Sequence, residues 1–408
     1  TTIDINGAIN ASGEIIAASL DISGNIDVDG TTNLDVVDID GAVDMAANLT
    51  LSTTSQIYFS RGSGISALDY EDGTSAAIFI NAASTSNYFQ PLIGVGEGTG
   101  TFTAAISSFD SGSAAAQGLA FHTGDTNAIT ERFRISSDGS LSTPTLGTSN
   151  VRFGVNAGNS IASGGTGNVA VGDEAGTAIT TGDYNTALGF YALYTEDTAS
   201  KSTAVGTSAL QVQNAGTVDA FNTAVGFAAG VAVTTGIQNT LIGGLSGDSL
   251  NTGQENIALG YNALTLDTKG SHSVAIGSHA LLQQNFSSAT NSFNVAIGSS
   301  AGQQVTTGVE NTLIGGLAGD ALTDADYNVA IGYTALSADT LGSRSVAIGR
   351  AALQVQNFTS ATNSYNTAVG FAAGEAVTTG QYNTLIGGLA GDGMTTGDNN
   401  TALGYTAM

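Results

Sequence analysis

The chain has 408 residues with 34 acidic and 8 basic side chains, and its net charge of −26 disfavours nucleic acid and anionic lipid as partners. Cys is absent, which excludes disulfides and thiolate chemistry, and no apolar run approaches the ~18 residues of a membrane span. Gly contributes 56 residues and charged residues only 10%, a composition that favours stacked β-structure with many turns.

Residues 1–54 alternate aliphatic and polar side chains, as in Ile26-Asp27-Val28-Asp29 and Val37-Asp38-Ile39-Asp40. A period of two with Gly at the turns predicts short strands in a narrow stack, which we interpret as an N-terminal shaft segment. The aspartates share one strand face and offer oxygen ligands of the kind Ca²⁺ prefers. They match no known calcium loop, and a solvated acidic face is the preferred interpretation.

Residues 55–147 are less repetitive and contain more aromatic side chains, among them Tyr58, Phe79 and Phe121. We interpret this segment as a compact, knob-like β-domain. Arg132 and Arg134 alternate with apolar residues and therefore share one face of a strand. Two interpretations stay open: these arginines pair with acids of a neighbouring chain, or they occupy an ordinary surface.

Residues 148–408 repeat one short phrase: Asn, two small or apolar residues, an aliphatic residue, and Gly. Asn168-Val169-Ala170-Val171-Gly172 is one example. Most repeats begin ~17 residues after the previous one, a spacing typical of short stacked coils. We call the closing residues the key glycines; they are Gly154, Gly172, Gly189, Gly206, Gly226, Gly243, Gly260, Gly277, Gly298, Gly315, Gly332, Gly349, Gly370, Gly387 and Gly404. The sequence predicts an all-β, parallel β-roll or β-solenoid of 15 coils.

A longer period is superimposed on the coils. The fourth residue after the key glycine follows the order Gly, Gly, Leu, Leu, as in Gly230, Gly247, Leu264 and Leu281. The longest spacings also recur every fourth coil, so the unit of duplication is a four-coil block of ~72 residues.

Each repeat position predicts a structural role. We expect the aliphatic residue before the key glycine to point into a dry interior, and the Ala or Leu before it to lie on the opposite, also apolar, face. The Asn should form a ladder along the stack, interrupted once per block by Ser202, Ser273 and Ser345. We expect two short strands and two turns per coil, and a key glycine in a conformation that a Cβ would forbid.

The coil pattern also predicts self-association. Because both strand faces are apolar, one apolar face would remain exposed to solvent in a single chain. We therefore expect an obligate oligomer. These physical arguments do not choose between two and three chains. At ~4.8 Å per coil, the stack would be roughly 70 Å long.

Three insertions lengthen one coil in each block: Gln211–Phe221, Leu282–Phe293 and Gln354–Tyr365. They should project laterally at intervals of ~19 Å. Two hypotheses stay open: the insertions contact glycans through aromatic faces, or they pack against a neighbouring chain or fibre. The candidate contact residues are Asn214, Phe221, Asn285, Phe286, Phe293, Asn357, Phe358 and Tyr365.

The sequence contains few patterns that indicate chemistry. Gly298-Ser299-Ser300-Ala301-Gly302 fits a nucleophile motif, but the equivalent coil, Gly226–Gly230, has no Ser. His272 and His279 lack a convincing third metal ligand, and no pair of carboxylates is set apart for glycoside cleavage. We therefore expect no catalytic residues, no metal and no cofactor.

Two resemblances to known families follow from these motifs. Ser273-Val274-Ala275-Ile276-Gly277 and its equivalent, Ser345–Gly349, resemble the head repeats of trimeric autotransporter adhesins over residues ~150–408. That resemblance implies a left-handed parallel β-roll and a homotrimer, although the adhesin repeat is usually shorter. Gly118–Asp125, followed by Glu131–Gly139, resembles a segment common in marine bacteriophage tail fibres.

Together these resemblances imply a tail fibre: an extended homotrimer on a virion tail that attaches to a cell-surface glycan or protein receptor. The alternative is a bacterial trimeric surface adhesin or extracellular structural filament, and a third possibility is a tailspike-type depolymerase. Tail fibres often end in a self-cleaving chaperone domain. Because Met408 falls inside a coil, we expect the distal tip to lie beyond it.

Overall fold

A computed structural model describes residues 90–95, 104–110, 117–125, 128–136, 141–143 and 147–408. The predicted shaft segment 1–54, with its aspartates, and much of the predicted 55–147 domain lie outside these residues. The described part of the chain is all-β and contains no helix. Accordingly, it holds no helix able to cross a membrane.

Five of the described strands form an antiparallel sheet in chain order. They are β1 Gln90–Val95, β2 Ala104–Asp110, β3 Gln117–Asp125, β4 Ala128–Ile135 and β5 Leu141–Ser142. Phe121 and Phe133 face each other across β3 and β4, with ring centroids 5.7 Å apart. The buried hydroxyl of Ser107 lies 2.7 Å from Nε2 of His122. The sheet ends close to the first coil of the solenoid.

The following coils form a parallel β-solenoid, as predicted. Each contributes one three-residue strand to a single 15-stranded sheet, and neighbouring coils pair in register, as Ala224 does with Leu241. The strands are β6 Val151–Phe153, β7 Val169–Val171, β8 Thr186–Leu188, β9 Thr203–Val205, β10 Thr223–Val225, β11 Thr240–Ile242, β12 Ile257–Leu259, β14 Val274–Ile276, β16 Val295–Ile297, β17 Thr312–Ile314, β18 Val329–Ile331, β20 Val346–Ile348, β22 Thr367–Val369, β23 Thr384–Ile386 and β24 Thr401–Leu403.

The predicted orientation of the strand faces was wrong. The central Ala or Leu of the strand, such as Ala224 or Leu241, is completely buried. The aliphatic residue before the key glycine, such as Val225 or Ile242, points outward and is 36% to 39% exposed in these two coils. The alternation of side chains along a strand assigns residues to two faces, but it does not determine which face lies inside the coil. The coil is narrow, and Ala at the strand centre fits its interior.

The prediction of two strands per coil was also wrong. Turns with left-handed backbone replace the second strand, as at Gln238, Leu245 and Gly247, where φ is 60°, 57° and 55°. In the described coils, a second strand forms only at two insertions, where two residues of the insertion pair with two residues of the preceding coil. β13 Gly270–Ser271 pairs with β15 Thr290–Asn291, and β19 Gly342–Ser343 pairs with β21 Thr362–Asn363.

The prediction for the key glycines is confirmed. Gly243 has φ of 132°, and a Cβ at this position would lie 2.5 Å from the carbonyl oxygen of Gly260 in the next coil. Backbone conformation and contact between coils therefore both require Gly there.

The predicted Asn ladder is confirmed, and its bonds are mainly to the backbone. Oδ1 of Asn222 accepts the backbone N–H of Asn239 at 2.8 Å, and Nδ2 of Asn239 donates to the carbonyl of Gly253 at 3.0 Å. Both Asn side chains are fully buried. Each Asn thus joins its own coil to the coils on either side.

Candidate functional site

The lateral insertions begin next to an unexpected change in the solenoid core. In coils with Gly at the fourth position after the key glycine, the seventh position is apolar, as in Gly247 with Leu250. In coils with Leu at the fourth position the seventh is polar, as in Leu264 with Asp267. A Cβ on Gly247 would lie 2.8 Å from Cδ2 of Leu241, so the Gly and Leu alternation balances core volume.

The seventh position forms a column along the solenoid. Its members are Ile161, Ile179, Glu196, Gln213, Val233, Leu250, Asp267, Gln284, Val305, Leu322, Asp339, Gln356, Val377 and Met394. An acid followed by an amide therefore enters the core once per block. Our sequence analysis missed these pairs, although the Gly, Gly, Leu, Leu marker has the same period.

The acid–amide pair forms a closed hydrogen-bond network. Asp267 Oδ2 accepts from Gln284 Nε2 at 2.6 Å, and its Oδ1 accepts from the backbone N–H of Gly270 at 2.9 Å. Gln284 Nε2 also donates to Ser273 Oγ at 2.8 Å, and its Oε1 accepts from Asn294 Nδ2 at 2.9 Å. Ser273 stands where the other coils have a ladder Asn. The Gln284 amide bonds to both Ser273 and Asn294, so it bridges the interruption in the ladder.

The same network recurs in the other two blocks, as Asp339 with Gln356 and as Glu196 with Gln213. All three acids have no solvent-exposed surface. Burial raises the pKa of each carboxyl, while the amide and backbone hydrogen bonds act in the opposite direction. The acids carry no ion pair in the described part of the chain, so only hydrogen bonds from the Gln side chain and from backbone N–H groups oppose the effect of burial.

Phe286 and Phe358 fix the start of two insertions. Each ring is only 5% exposed, so neither presents a face to an external ligand. A Cβ on Gly270 would lie 2.9 Å from Cδ2 of Phe286, which shows that the ring packs beside the buried Asp267. We therefore assign both rings an anchoring role within the chain.

Phe221, Phe293 and Tyr365 occupy the last position of each insertion, directly before a ladder Asn. All three have left-handed φ, between 48° and 50°. They are about half-exposed, and their faces contact side chains of the neighbouring coils. The Lys201 ammonium lies 5.2 Å from the Phe221 ring centroid, and Phe293 stacks on His272 at 5.1 Å.

The third ring, Tyr365, also lies between side chains that occupy the position directly before the ladder residue in neighbouring coils. Tyr365 stacks on Tyr382 at 5.6 Å, and the Arg344 guanidinium lies 5.8 Å from the Tyr365 centroid. One face of Phe221 and one face of Phe293 are engaged, whereas Tyr365 lies between Arg344 and Tyr382 of the coils on either side. The edges of the rings are therefore what a ligand would meet.

The predicted contact residues thus do not form one continuous surface. Asn214, Asn285 and Asn357 are exposed, and two of them are held by threonines: Thr268 Oγ1 donates to Asn285 Oδ1 at 3.0 Å, and Thr340 Oγ1 to Asn357 Oδ1 at 3.1 Å. The most exposed parts of the longer insertions are the tips 287–291 and 359–363. The residues of these tips are small and mostly polar, so they offer hydrogen-bonding groups and little apolar surface.

The outer face of the 15-stranded sheet is the other large candidate surface. We define it by the first and third residues of the fifteen strands, which are Val, Thr, Ile, Leu or Phe and include no charge. Exposed aromatic residues follow several key glycines, among them Phe227, Tyr261 and Phe371. In a chain of net charge −26, an uncharged face of this length is suited to contact with protein.

The residues considered for metal or nucleophile chemistry are engaged in ordinary contacts. His272 Nδ1 lies 3.3 Å from Glu255, whereas His279 Nδ1 lies 2.9 Å from the Ser278 hydroxyl. Ser300 occupies the left-handed turn position that every coil contains, with φ of 55°. Among the described residues, no three His, Asp or Glu side chains are grouped to hold a metal ion.

Comparison of the chain with protein-family models, with curated protein sequences and with solved structures found no match in any of the three.

Proposed function

We propose that this chain is a structural and adhesive fibre protein, a homotrimeric tail-fibre shaft that mediates attachment to a host cell surface. The observation that carries the proposal is the uncharged, largely apolar outer face, which extends over all fifteen strands. A face of this size on an acidic chain favours a protein partner. Other copies of the chain offer the same face with the same repeat along the stack.

The shaft role is supported by the rigidity of the coil stack. Each coil is bonded to its neighbours through strand pairing, the Asn ladder and the contact between key glycines. Long, regular stacks of this kind hold surface loops at fixed intervals. We propose that the three insertions, four coils apart, serve as lateral contact points for a glycan or protein on the host.

The proposed assembly can be tested by multi-angle light scattering of the purified chain. We expect three times the chain mass of 40.5 kDa. Ile276→Lys combined with Ile314→Lys places charge on the outer face and should give the single-chain mass, with the β-sheet circular dichroism unchanged. Ser288→Lys, on an exposed insertion tip, is the matched control. A monomeric unmodified chain would contradict the homotrimer.

Adhesion is tested separately, on a glycan array. Variants in which tips 287–291 and 359–363 are replaced by Gly and Ser should lose binding, while the particle mass stays unchanged. Binding that survives these replacements would remove the insertions from the attachment role.

We also propose that the fibre is not an enzyme. Incubation with a panel of bacterial surface polysaccharides should leave their chain lengths unchanged in size-exclusion chromatography. Release of oligosaccharides would overturn this part of the proposal and favour a depolymerase.

A further inference from the structure

Basic side chains are scarce in this protein, yet three of the 8 lie together where the antiparallel sheet approaches the first coil. They are Arg132 and Arg134 on β4 and Arg152 on β6. Arg134 is already neutralised, because its Nε and Nη2 bind the Glu131 carboxylate at 2.6 and 2.5 Å. Arg132 and Arg152 have no ion-pair partner among the described residues.

Arg152 occupies an exceptional position in the repeat. It stands at the centre of a strand, where the other coils have a buried Ala or Leu. Its stem lies inside the end of the solenoid, since a Cβ on Gly158 would be 3.5 Å from Arg152 Cγ. Nε donates to the Ala157 carbonyl at 2.5 Å. Burial lowers the pKa of Arg152, and the charge of Arg132 lowers it further.

A cavity of about 280 Å³ lies between these two arginines. Its lining consists of Thr130, Glu131, Arg132, Thr143, Arg152 and Gly154. Arg132 Nε donates to Thr123 Oγ1 at 3.1 Å, and the Thr143 hydroxyl oxygen accepts the backbone N–H of Arg152 at 3.1 Å. The side-chain bonds use one donor of each guanidinium and leave the others for a ligand.

We propose that this cavity binds a carboxylate or sulfate group, presented either as a free anion or on an acidic sugar. Two guanidinium groups offer planar, multiple N–H donors that match such oxygen atoms. A bound anion would also relieve the repulsion between Arg132 and Arg152. The threonine hydroxyls supply further hydrogen bonds, and the volume accommodates about one sugar ring. The inference is independent of the fibre proposal.

The test is isothermal titration of the full chain with sodium glucuronate and with sodium sulfate, at constant ionic strength in NaCl, with glucose as the neutral control. We expect saturable binding of at least one anion and none of glucose. Arg152→Met keeps the apolar stem, and Arg132→Met changes an exposed side chain; each should weaken binding at least tenfold. Arg350→Met, which removes a guanidinium placed over Phe371, should leave binding unchanged.

The two anions distinguish the two sources of the ligand. Tighter binding of glucuronate than of sulfate supports an acidic sugar, while similar affinities support a general anion site. Absence of saturable binding to either anion overturns the proposal, and so does equal affinity in Arg132→Met and the unmodified protein. The particle mass tests the fibre proposal separately.

Discussion

At every key glycine except Gly404, the last one, the backbone passes so close to the next coil that a side chain has no room. Gly243 illustrates this twice, through its φ of 132° and through the 2.5 Å that would separate a Cβ from the Gly260 oxygen. Gly393 is different, because a Cβ there would meet nothing within 4 Å and its φ is not left-handed. The two positions therefore form a matched pair.

We predict that Gly243→Ala destabilises the protein by about 2 kcal/mol or more, because the strained φ and the close contact act together. Gly393→Ala should change stability by less than about 0.5 kcal/mol. Guanidinium denaturation followed by circular dichroism measures both. Equal midpoints for the two variants would show that the key glycines are not required.

The buried acids determine a second property at the residue scale, the dependence of stability on pH. Because burial raises the pKa of Glu196, Asp267 and Asp339 in the folded chain, the folded state holds their protons more tightly than the unfolded state. Their contribution to stability is therefore largest below the unfolded pKa of about 4, and it falls as pH rises through the folded pKa.

We predict that replacing the three acids by Gln, Asn and Asn removes this dependence. The stability of the unmodified protein relative to the triple variant should be greater at pH 4 than at pH 7. Denaturation midpoints at both pH values provide the measurement, and Glu375→Gln, at a partly exposed acid, is the control. A relative stability that is independent of pH would mean that these carboxyls do not hold their protons more tightly in the folded chain.

At the scale of the coil, the fourth and seventh positions act as one packing unit. A Leu at the fourth position accompanies a polar seventh residue, and a Gly accompanies an apolar one, as in Leu264 with Asp267 and Gly247 with Leu250. Single changes at either position disturb core volume, whereas a joint change preserves it.

We predict a non-additive double-mutant cycle at this unit. Asp267→Leu alone should destabilise the protein by about 3 kcal/mol, because it overfills the space beside Leu264 and removes the carboxylate that accepts a hydrogen bond from Gln284. Adding Leu264→Gly should recover about 1 kcal/mol or more, since it restores the volume found in the other coils. Denaturation of the four proteins measures the coupling, and strictly additive effects would refute it.

The coil was also the scale at which sequence reasoning was only partly successful. Gly, Asn and Ser recur at fixed spacings, and each has one dominant physical use here, so the key glycines and the ladder were predictable. Val225 and Ala224 are both apolar, so only the width of the coil decides which is inside. Asp267 and Gln284 were overlooked because each occurs once in four coils and belongs to no known motif.

For the whole described solenoid, the four-coil block is the natural unit of length. Removing residues 261–332 takes out one block, joins Gly260 to Tyr333 and keeps the order of core residues intact. Removing residues 261–277 deletes a single coil. That shorter deletion removes Asp267 and places Gln284 beside Leu250.

We predict that the four-coil deletion folds cooperatively, with a denaturation midpoint close to that of the full chain. The single-coil deletion should be less stable by about 2 kcal/mol, because it buries an amide without its acceptor. The matched comparison controls for shortening as such. If the variant lacking residues 261–277 is as stable as the variant lacking residues 261–332, the four-coil block is not a unit of stability.

The direction of the bonds between coils has a mechanical consequence. Strand pairing and the Asn ladder both run along the stack, and each coil is bonded mainly to its two neighbours. A force applied along the axis at the two ends of the solenoid is therefore carried in series by every interface between neighbouring coils, and the weakest interface yields first. Resistance to pulling is then set by the weakest coil and not by the number of coils. Sideways loads, in contrast, are shared among many coils.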